Sequence, residues 1–390
     1  MDKKTAVLLL VVFIDLVGFG VVIPILPLLI QGIGGGVLMV GIIISIFSLF
    51  QFLFSPILGR LSDKYGRKPV LIISSFINAL SYLFLFLSQH IWIIFLARIL
   101  AGIGSANISV AQAYIADVSK SHERTKKFGL IGAAFGLGFI VGPFLGGAIS
   151  ERFSISAVFL APAILSFTNT VLISIILKES NLALQKHIKI EFINLKITKE
   201  VMRPKNISFL FLLFFFVNFA LSLIIGVFSL LGQARFGWNE AQNGYYFGLI
   251  GISSFLTQSY LIRLLLKRFD ETQLIRLGLI VFAIAIFLMG TSQYIWLTLM
   301  VGLLSPFGVS LLMVNTQSLI SLESKPEEQG IVMGAAQSVA ALGRVFGPLI
   351  GGAIAQVSLS TPFVVSSIVT FFILFFGHNY LKFMQNGRKS

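Results

Sequence analysis

Long apolar runs follow one another along almost the whole chain, broken only by short charged clusters, and this alternation decides which solvent the fold must meet. Cutting the 390-residue sequence at its charged clusters leaves twelve apolar stretches, near 5–30, 39–58, 70–88, 91–116, 127–150, 156–178, 207–231, 241–262, 272–290, 294–320, 329–352 and 360–382. Each is close to the roughly 20 residues that a helix needs to cross ~30 Å of hydrocarbon. Lipid offers the backbone no hydrogen-bond partner, so only helices or a closed barrel span it, and continuous apolar runs lack the two-residue alternation of barrel strands. The sequence therefore predicts an all-α integral membrane protein with twelve transmembrane helices. Only 11% of residues are charged against 56% hydrophobic, a balance that excludes an ordinary water-soluble domain. The first run follows Lys3 and Lys4 as a signal peptide would, but its length, Asp15, Pro24, Pro27 and the later spans mark it as a retained helix.

A formal net charge of +14 would suggest nucleic acid in a soluble protein, so the position of the charges is decisive. Of the 29 Lys and Arg, all but Arg98, Arg152, Arg235 and Arg344 lie at the termini, in the loops that follow even-numbered spans, or at the span edges beside those loops. By the positive-inside rule both termini are cytoplasmic, as in a multi-pass protein of the cell inner (cytoplasmic) membrane. The basic balance then orients the chain and attracts anionic lipid, with no nucleic-acid partner. Absence of cysteine excludes disulfides, thiolate catalysis and cysteine-ligated metals. The four histidines, at 90, 122, 187 and 378, form no i,i+4 metal pair, and no phosphate-binding loop of the Walker type occurs. With no Ser/His/Asp set either, an enzyme is not expected. The expected energy source is an ion gradient rather than ATP, with no cofactor.

The chain repeats itself. GPFLGG at 142–147 returns as GPLIGG at 347–352, and the same offset of 205 carries Gly129 onto Gly334, Glu123 onto Glu328 and Gln112 onto Gln317. An even number of spans separates the copies, so the halves have the same topology, as in transporters whose halves are related by an axis along the membrane normal. The expected organisation is two parallel-repeat six-helix bundles, 1–178 and 207–390, joined by a cytoplasmic linker at 179–206. The Lys-rich alternation of that linker with Ile, Phe and Leu suits either a surface-lying amphipathic helix or a tether. A path for a small-molecule substrate is expected between the halves of a monomer.

Between the second and third spans the sequence reads Gly59-Arg-Leu-Ser-Asp63-Lys-Tyr-Gly66-Arg67-Lys68-Pro69. Here the chain resembles the major facilitator superfamily, whose hallmark loop is G-x-L-x-D-x-x-G-R-K. The first span reads Asp15-Leu-Val-Gly18-Phe-Gly20 and on to Pro24 and Pro27, the fourth Arg98-Ile-Leu-Ala-Gly102-Ile-Gly104 and on to Asp117, and the fifth Gly138-Phe-Ile-Val-Gly142-Pro143-Phe-Leu-Gly146-Gly147. Together these are similar to the drug:proton antiporters with twelve helices, most of all the TetA-type tetracycline exporters. The resemblance covers roughly 10–150 strongly, and in the second half leaves only Lys267, Arg268 and Phe269 of the hallmark loop. It implies a major facilitator fold and proton-coupled antiport, with export of drugs or other small amphipathic molecules by alternating access. It also implies that Gly59, Asp63, Gly66, Arg67, Lys68 and Asp117 form a cytoplasmic gate. Those tetracycline exporters carry acids inside the third and ninth helices, whereas 70–88 and 272–290 contain none.

Residue chemistry alone also singles out polar groups within spans. Asp15 lies about ten residues into the first span, or ~15 Å deep. An acid there costs roughly 2.5–3.5 kcal/mol on insertion scales and typically faces a cavity or relays protons, the plainer role being a pair that holds helices together. Arg98 is its expected partner in proton coupling. At 100° per residue Arg98, Gly102, Ser105, Ser109 and Gln112 form one stripe while Asn107 faces away, which favours Gln112 over Asn107 as a pocket residue. Gln337 and Arg344 share a face of the eleventh span, and Ser310 and Gln317 one of the tenth; Asn218 and Gln258 complete the candidate pocket. Each serves equally well as interhelical glue. The glycines at 138, 142, 146 and 147 allow close packing, and Pro143 removes a backbone donor and bends its helix. Two other readings remain: an exporter or facilitator of an endogenous metabolite, sugar or siderophore, with Arg344 meeting an anionic group, and a membrane enzyme or receptor.

Overall fold

The computed structural model describes residues 3–118, 121–180, 205–324 and 329–387, side chains excepted at 3–6, 121–133, 135, 205, 329–331 and 386–387. Twelve helical spans run through these residues. The first six are α1 Lys3–Gly32, α2 Val37–Tyr65, α3 Arg67–Phe86, α4 Ile91–Val118, α5 Ser121–Arg152 and α6 Ser156–Ile176. The rest are α7 Asn206–Phe236, α8 Glu240–Leu265, α9 Glu271–Thr291, α10 Ile295–Leu322, α11 Gln329–Ile354 and α12 Thr361–Gly387. Ten are long and apolar enough to cross a membrane, and α5 and α11, at 32 and 26 residues, have the length to do so. Several outrun the apolar stretches read from sequence: α2 continues to Tyr65 and α5 starts at Ser121, because helical hydrogen bonding propagates past the hydrocarbon edge. The expected linker falls almost wholly outside the described residues, as do the side chains at the repeat positions 123 and 328.

Helix ends follow local chemistry. At the α2–α3 turn Gly66 takes φ +101°, a region that other L-residues rarely enter, and its N–H donates to Ser62 O at 3.1 Å. Asp270 caps α9, accepting the N–H of Gln273 at 2.9 Å while the Gln273 side chain accepts the N–H of Asp270 at 3.0 Å. Burial of Asp270 opposes ionisation, but the hydrogen bonds from Thr272, Gln273 and Gln385 outweigh it and hold the carboxyl below its ordinary range.

Three spans are locally irregular. In α4 the helix breaks at Ala106 and Asn107, whose N–H groups reach back only three residues, to Ile103 O and Gly104 O. The span α7 is interrupted between Ile225 and Phe228, and α8 widens into a π turn at Thr257–Leu261.

The chain forms two compact units: Met1–Gly36, Ile46–Ile193 and Trp238–Gly248 in the first, Val37–Ser45, Asn194–Gly237 and Leu249–Ser390 in the second. The first unit has a core that includes Leu71, Val110, Tyr114, Ile115 and Ile173, all fully buried. Its α1 and α5 cross at their glycines: a Cβ on Gly142 would stand 2.5 Å from Val17 O, and one on Gly138 2.6 Å from the Leu16 Cβ. The second unit repeats the crossing between α7 and α11, where a Cβ on Gly343 would meet Phe215 O at 2.7 Å and one on Gly347 the Ser222 Cβ at 2.5 Å. Two short segments exchange places relative to the sequence halves. Residues 238–248 belong to the first unit, where Gly244 lies against Pro143 O and Gly147; residues 37–45 belong to the second, where Gly41 lies against Pro348 O and Gly352.

Candidate functional site

At the α2–α3 turn the hallmark residues assemble around one guanidinium. Arg67 Nη1 pairs with Asp63 Oδ1 at 2.6 Å and donates to Ser62 Oγ at 2.6 Å, while Arg67 Nε pairs with Asp117 Oδ2 at 3.0 Å. Gly59 O accepts from Ser62 Oγ at 2.6 Å, so the start of the motif is tied to the same cluster. A residue given no role from sequence joins it: Glu179, just after α6, accepts the backbone N–H of Arg67 at 2.8 Å and of Lys68 at 3.0 Å. These are orphan donors of the α3 N-terminus, where a carboxylate also meets the positive end of the helix dipole. Gly66 permits the approach, since a Cβ there would stand 2.4 Å from Glu179 Oε2. Lys68 Nζ donates to Ser174 O at 2.7 Å, and Ser180 Oγ to Asp117 Oδ2 at 3.0 Å. Four elements, α2, α3, α4 and the end of α6, are thereby locked together.

Deeper in the same unit, Asp15 of α1 accepts a hydrogen bond from Asn107 Nδ2 at 2.8 Å, and its other oxygen, Oδ1, is buried without a partner. Asn78 of α3 and Asn169 of α6 flank the carboxylate, and Tyr82 of α3 is near. Asn169 is itself pinned, donating to Val11 O at 3.0 Å. Arg98, the partner expected from sequence, makes no ion pair with Asp15 among the described residues. Its guanidinium lies 4.2 Å from the centre of the Phe47 ring, and Nε is buried without a partner. Asn107 does lie off the stripe that Arg98 heads, but that stripe lies against α2, with Arg98 on the Phe47 ring, Gly102 against Phe47 O and Ser109 donating to Ser55 O, whereas Asn107 on the other side meets Asp15 of α1.

In the second unit Arg344 of α11 donates from Nη1 to Asn218 Oδ1 of α7 at 3.1 Å. Gln258, at the π turn of α8, donates to Ser310 Oγ of α10 at 3.3 Å. Such turns frequently mark functional positions in helices. Ser109 is committed to backbone, donating to Ala106 O at 2.9 Å and Ser55 O at 3.3 Å. Gln112 and Gln337 are exposed and Gln317 partly so; none makes a side-chain hydrogen bond among the described residues. Within the glycine motif, Gly138 and Gly142 pack on α1 and Gly147 on Ala241, whereas a Cβ on Gly146 would find only ordinary contacts from 3.5 Å.

Twelve helical spans in repeated units, with one acid and arginines at membrane depth, define the chain as a polytopic membrane transporter. It belongs to the Major Facilitator Superfamily, whose pattern matches residues 8–343 and 259–382. It is 31% identical over 364 residues to the class C tetracycline resistance protein of Escherichia coli, covering 92% of this chain and 91% of that one. To multidrug resistance protein 2 of Bacillus subtilis (strain 168) it is 30% identical, covering 94% and 93%. Among solved structures, the human organic anion transporter MFSD10 (TETRAN) superposes with a TM-score of 0.72 at 24% identity, covering 96% of this chain and 99% of that one, a likeness of fold.

Proposed function

We propose that the protein is a proton-coupled antiporter that exports small amphipathic molecules or drugs across the cytoplasmic membrane by alternating access. It works as a monomer with both termini cytoplasmic, without a cofactor, on the proton gradient. The observation that carries the reading is Asp15: it is the one acid at membrane depth in the sequence, and it is held by an amide rather than neutralised by a cation. An amide donor accommodates both states of the carboxyl, whereas an arginine partner would fix it ionised. Asn107 steadies Oδ2 in both states, and Oδ1, which lacks a partner, is the oxygen that takes and releases the proton. The relatives named for tetracycline and multidrug resistance support drug export.

In this reading the repeat halves 1–178 and 207–390 rock about a substrate pocket that draws on Ser109, Gln112, Asn218, Gln258, Gln317, Gln337 and Arg344. Gly59, Asp63, Gly66, Arg67, Lys68 and Asp117 form the cytoplasmic gate, which Glu179 anchors through the start of α3. The glycines and Pro143 of α5 keep α1 and α5 close enough to move as one. The test is expression in an efflux-deficient cell followed by uptake into inverted vesicles. Accumulation of a drug that the cells resist should require an inwardly acidic gradient and collapse with a protonophore. Accumulation that ignores the gradient would refute proton coupling.

A further inference from the structure

Arg344 stands 15 residues after the start of α11 and ten before its end, ~22 Å and ~15 Å from them along the axis, which places a permanent cation at membrane depth. A charge there is costly and is ordinarily met by a counter-ion. The second half of the sequence supplies none at that depth. Its acids are Glu240, Asp270, Glu271, Glu323, Glu327 and Glu328, all at or beyond span ends. Asn218 is a neutral partner whose geometry is fixed: its Nδ2 donates to Phe214 O at 2.8 Å and reaches Met313 Sδ at 3.8 Å, which turns Oδ1 toward Arg344. The guanidinium is therefore oriented without being discharged. It also remains open: Arg344 is partly exposed, and its other nitrogens are not among the sealed unpartnered atoms, in contrast to Arg98 Nε. Beside Asn218 on α7, the partly exposed rings of Phe215 and Phe219 stack 6.0 Å apart.

We infer that Arg344, held by Asn218, is an anion subsite that takes the carboxylate or enolate of an amphipathic aromatic molecule, the guanidinium pairing with two oxygens and the phenyl rings of α7 facing the apolar part. Guanidinium matches such planar two-oxygen groups better than ammonium does. The inference rests on the exporter reading for its purpose but not for its test, which measures binding alone. Carboxyfluorescein and a cationic rhodamine share a ring system and differ in charge, so anisotropy titrations of both against the purified protein in detergent isolate the anion term. Arg344→Gln should weaken carboxyfluorescein binding by about tenfold or more and Arg344→Lys by less, with rhodamine binding unchanged within about twofold. Asn218→Asp keeps the guanidinium but gives it an internal carboxylate, and should lose the anionic dye as Arg344→Gln does. Arg344→Gln binding carboxyfluorescein as the wild type does, or all variants losing both dyes alike, would overturn the inference. Dye binding as expected without transport in vesicles would support the subsite and count against the exporter reading alone.

Discussion

Removing Glu179 tests the gate from an unexpected side. Its carboxylate accepts the N–H groups of Arg67 and Lys68 at 2.8 and 3.0 Å, and also that of Ser180 at 2.9 Å. Loss of a capping side chain costs about 0.5–2 kcal/mol, and loss of the carboxylate at the helix N-terminus a further ~0.3–1 kcal/mol. Glu179→Ala should therefore ease local opening of the α3 N-terminus by about 1–3 kcal/mol, and Glu179→Gln, which keeps one acceptor oxygen, by roughly half that. Amide hydrogen exchange in detergent reads this directly. Protection at Arg67 and Lys68 should fall roughly fivefold to a hundredfold, while amides in the middle of α3 stay as they were. The Arg67 ion pairs leave a second trace, because a loosened α3 start no longer presents the guanidinium to Asp63 and Asp117. Unchanged protection at Arg67 and Lys68 in Glu179→Ala would refute the capping argument.

Two further outcomes follow from the packing and the charges. Within the α5 motif, Gly142→Ala should lower thermal stability in detergent by about 1–3 kcal/mol while Gly146→Ala stays near neutral, because a Cβ meets Val17 O at 2.5 Å in one case and only contacts from 3.5 Å in the other. Equal losses would mean that the crossing does not limit packing. Asp270 is held below its ordinary range, so its stabilisation is present above its unfolded value and is lost as pH falls through its lower folded value. The difference in melting temperature between wild type and Asp270→Asn should accordingly be full near neutral pH and fade on acidification; a difference constant with pH would contradict it.

The apolar runs made the twelve spans legible, because length against bilayer thickness is a one-dimensional property. The hallmark loop was legible too, since its residues are contiguous and the structure gathers Asp63, Arg67 and Asp117 around one guanidinium. Glu179 was not, because it comes 112 residues after the α3 start that it caps and Gly66 leaves no local capping signature. Stepping placed Asn107 off the stripe of Arg98 and Ser109, but which helix each side meets, α1 with Asp15 for Asn107 and α2 for the stripe, depends on packing that periodicity does not encode. The partners of Asn218 and Gln258 likewise lie on other spans, Arg344 and Ser310, beyond the reach of periodicity. The grouping of 37–45 with the second unit and 238–248 with the first depends on contacts at Gly41 and Gly244 that a sequence repeat does not encode.

The central claim is that Asp15 couples proton movement to export. Proteoliposomes loaded with a pH-sensitive dye, given a drug gradient and no imposed pH difference, measure this directly. Wild-type protein should move protons against the drug, and Asp15→Asn should bind the drug yet move none. Drug-driven proton movement that persists undiminished in Asp15→Asn would contradict the account.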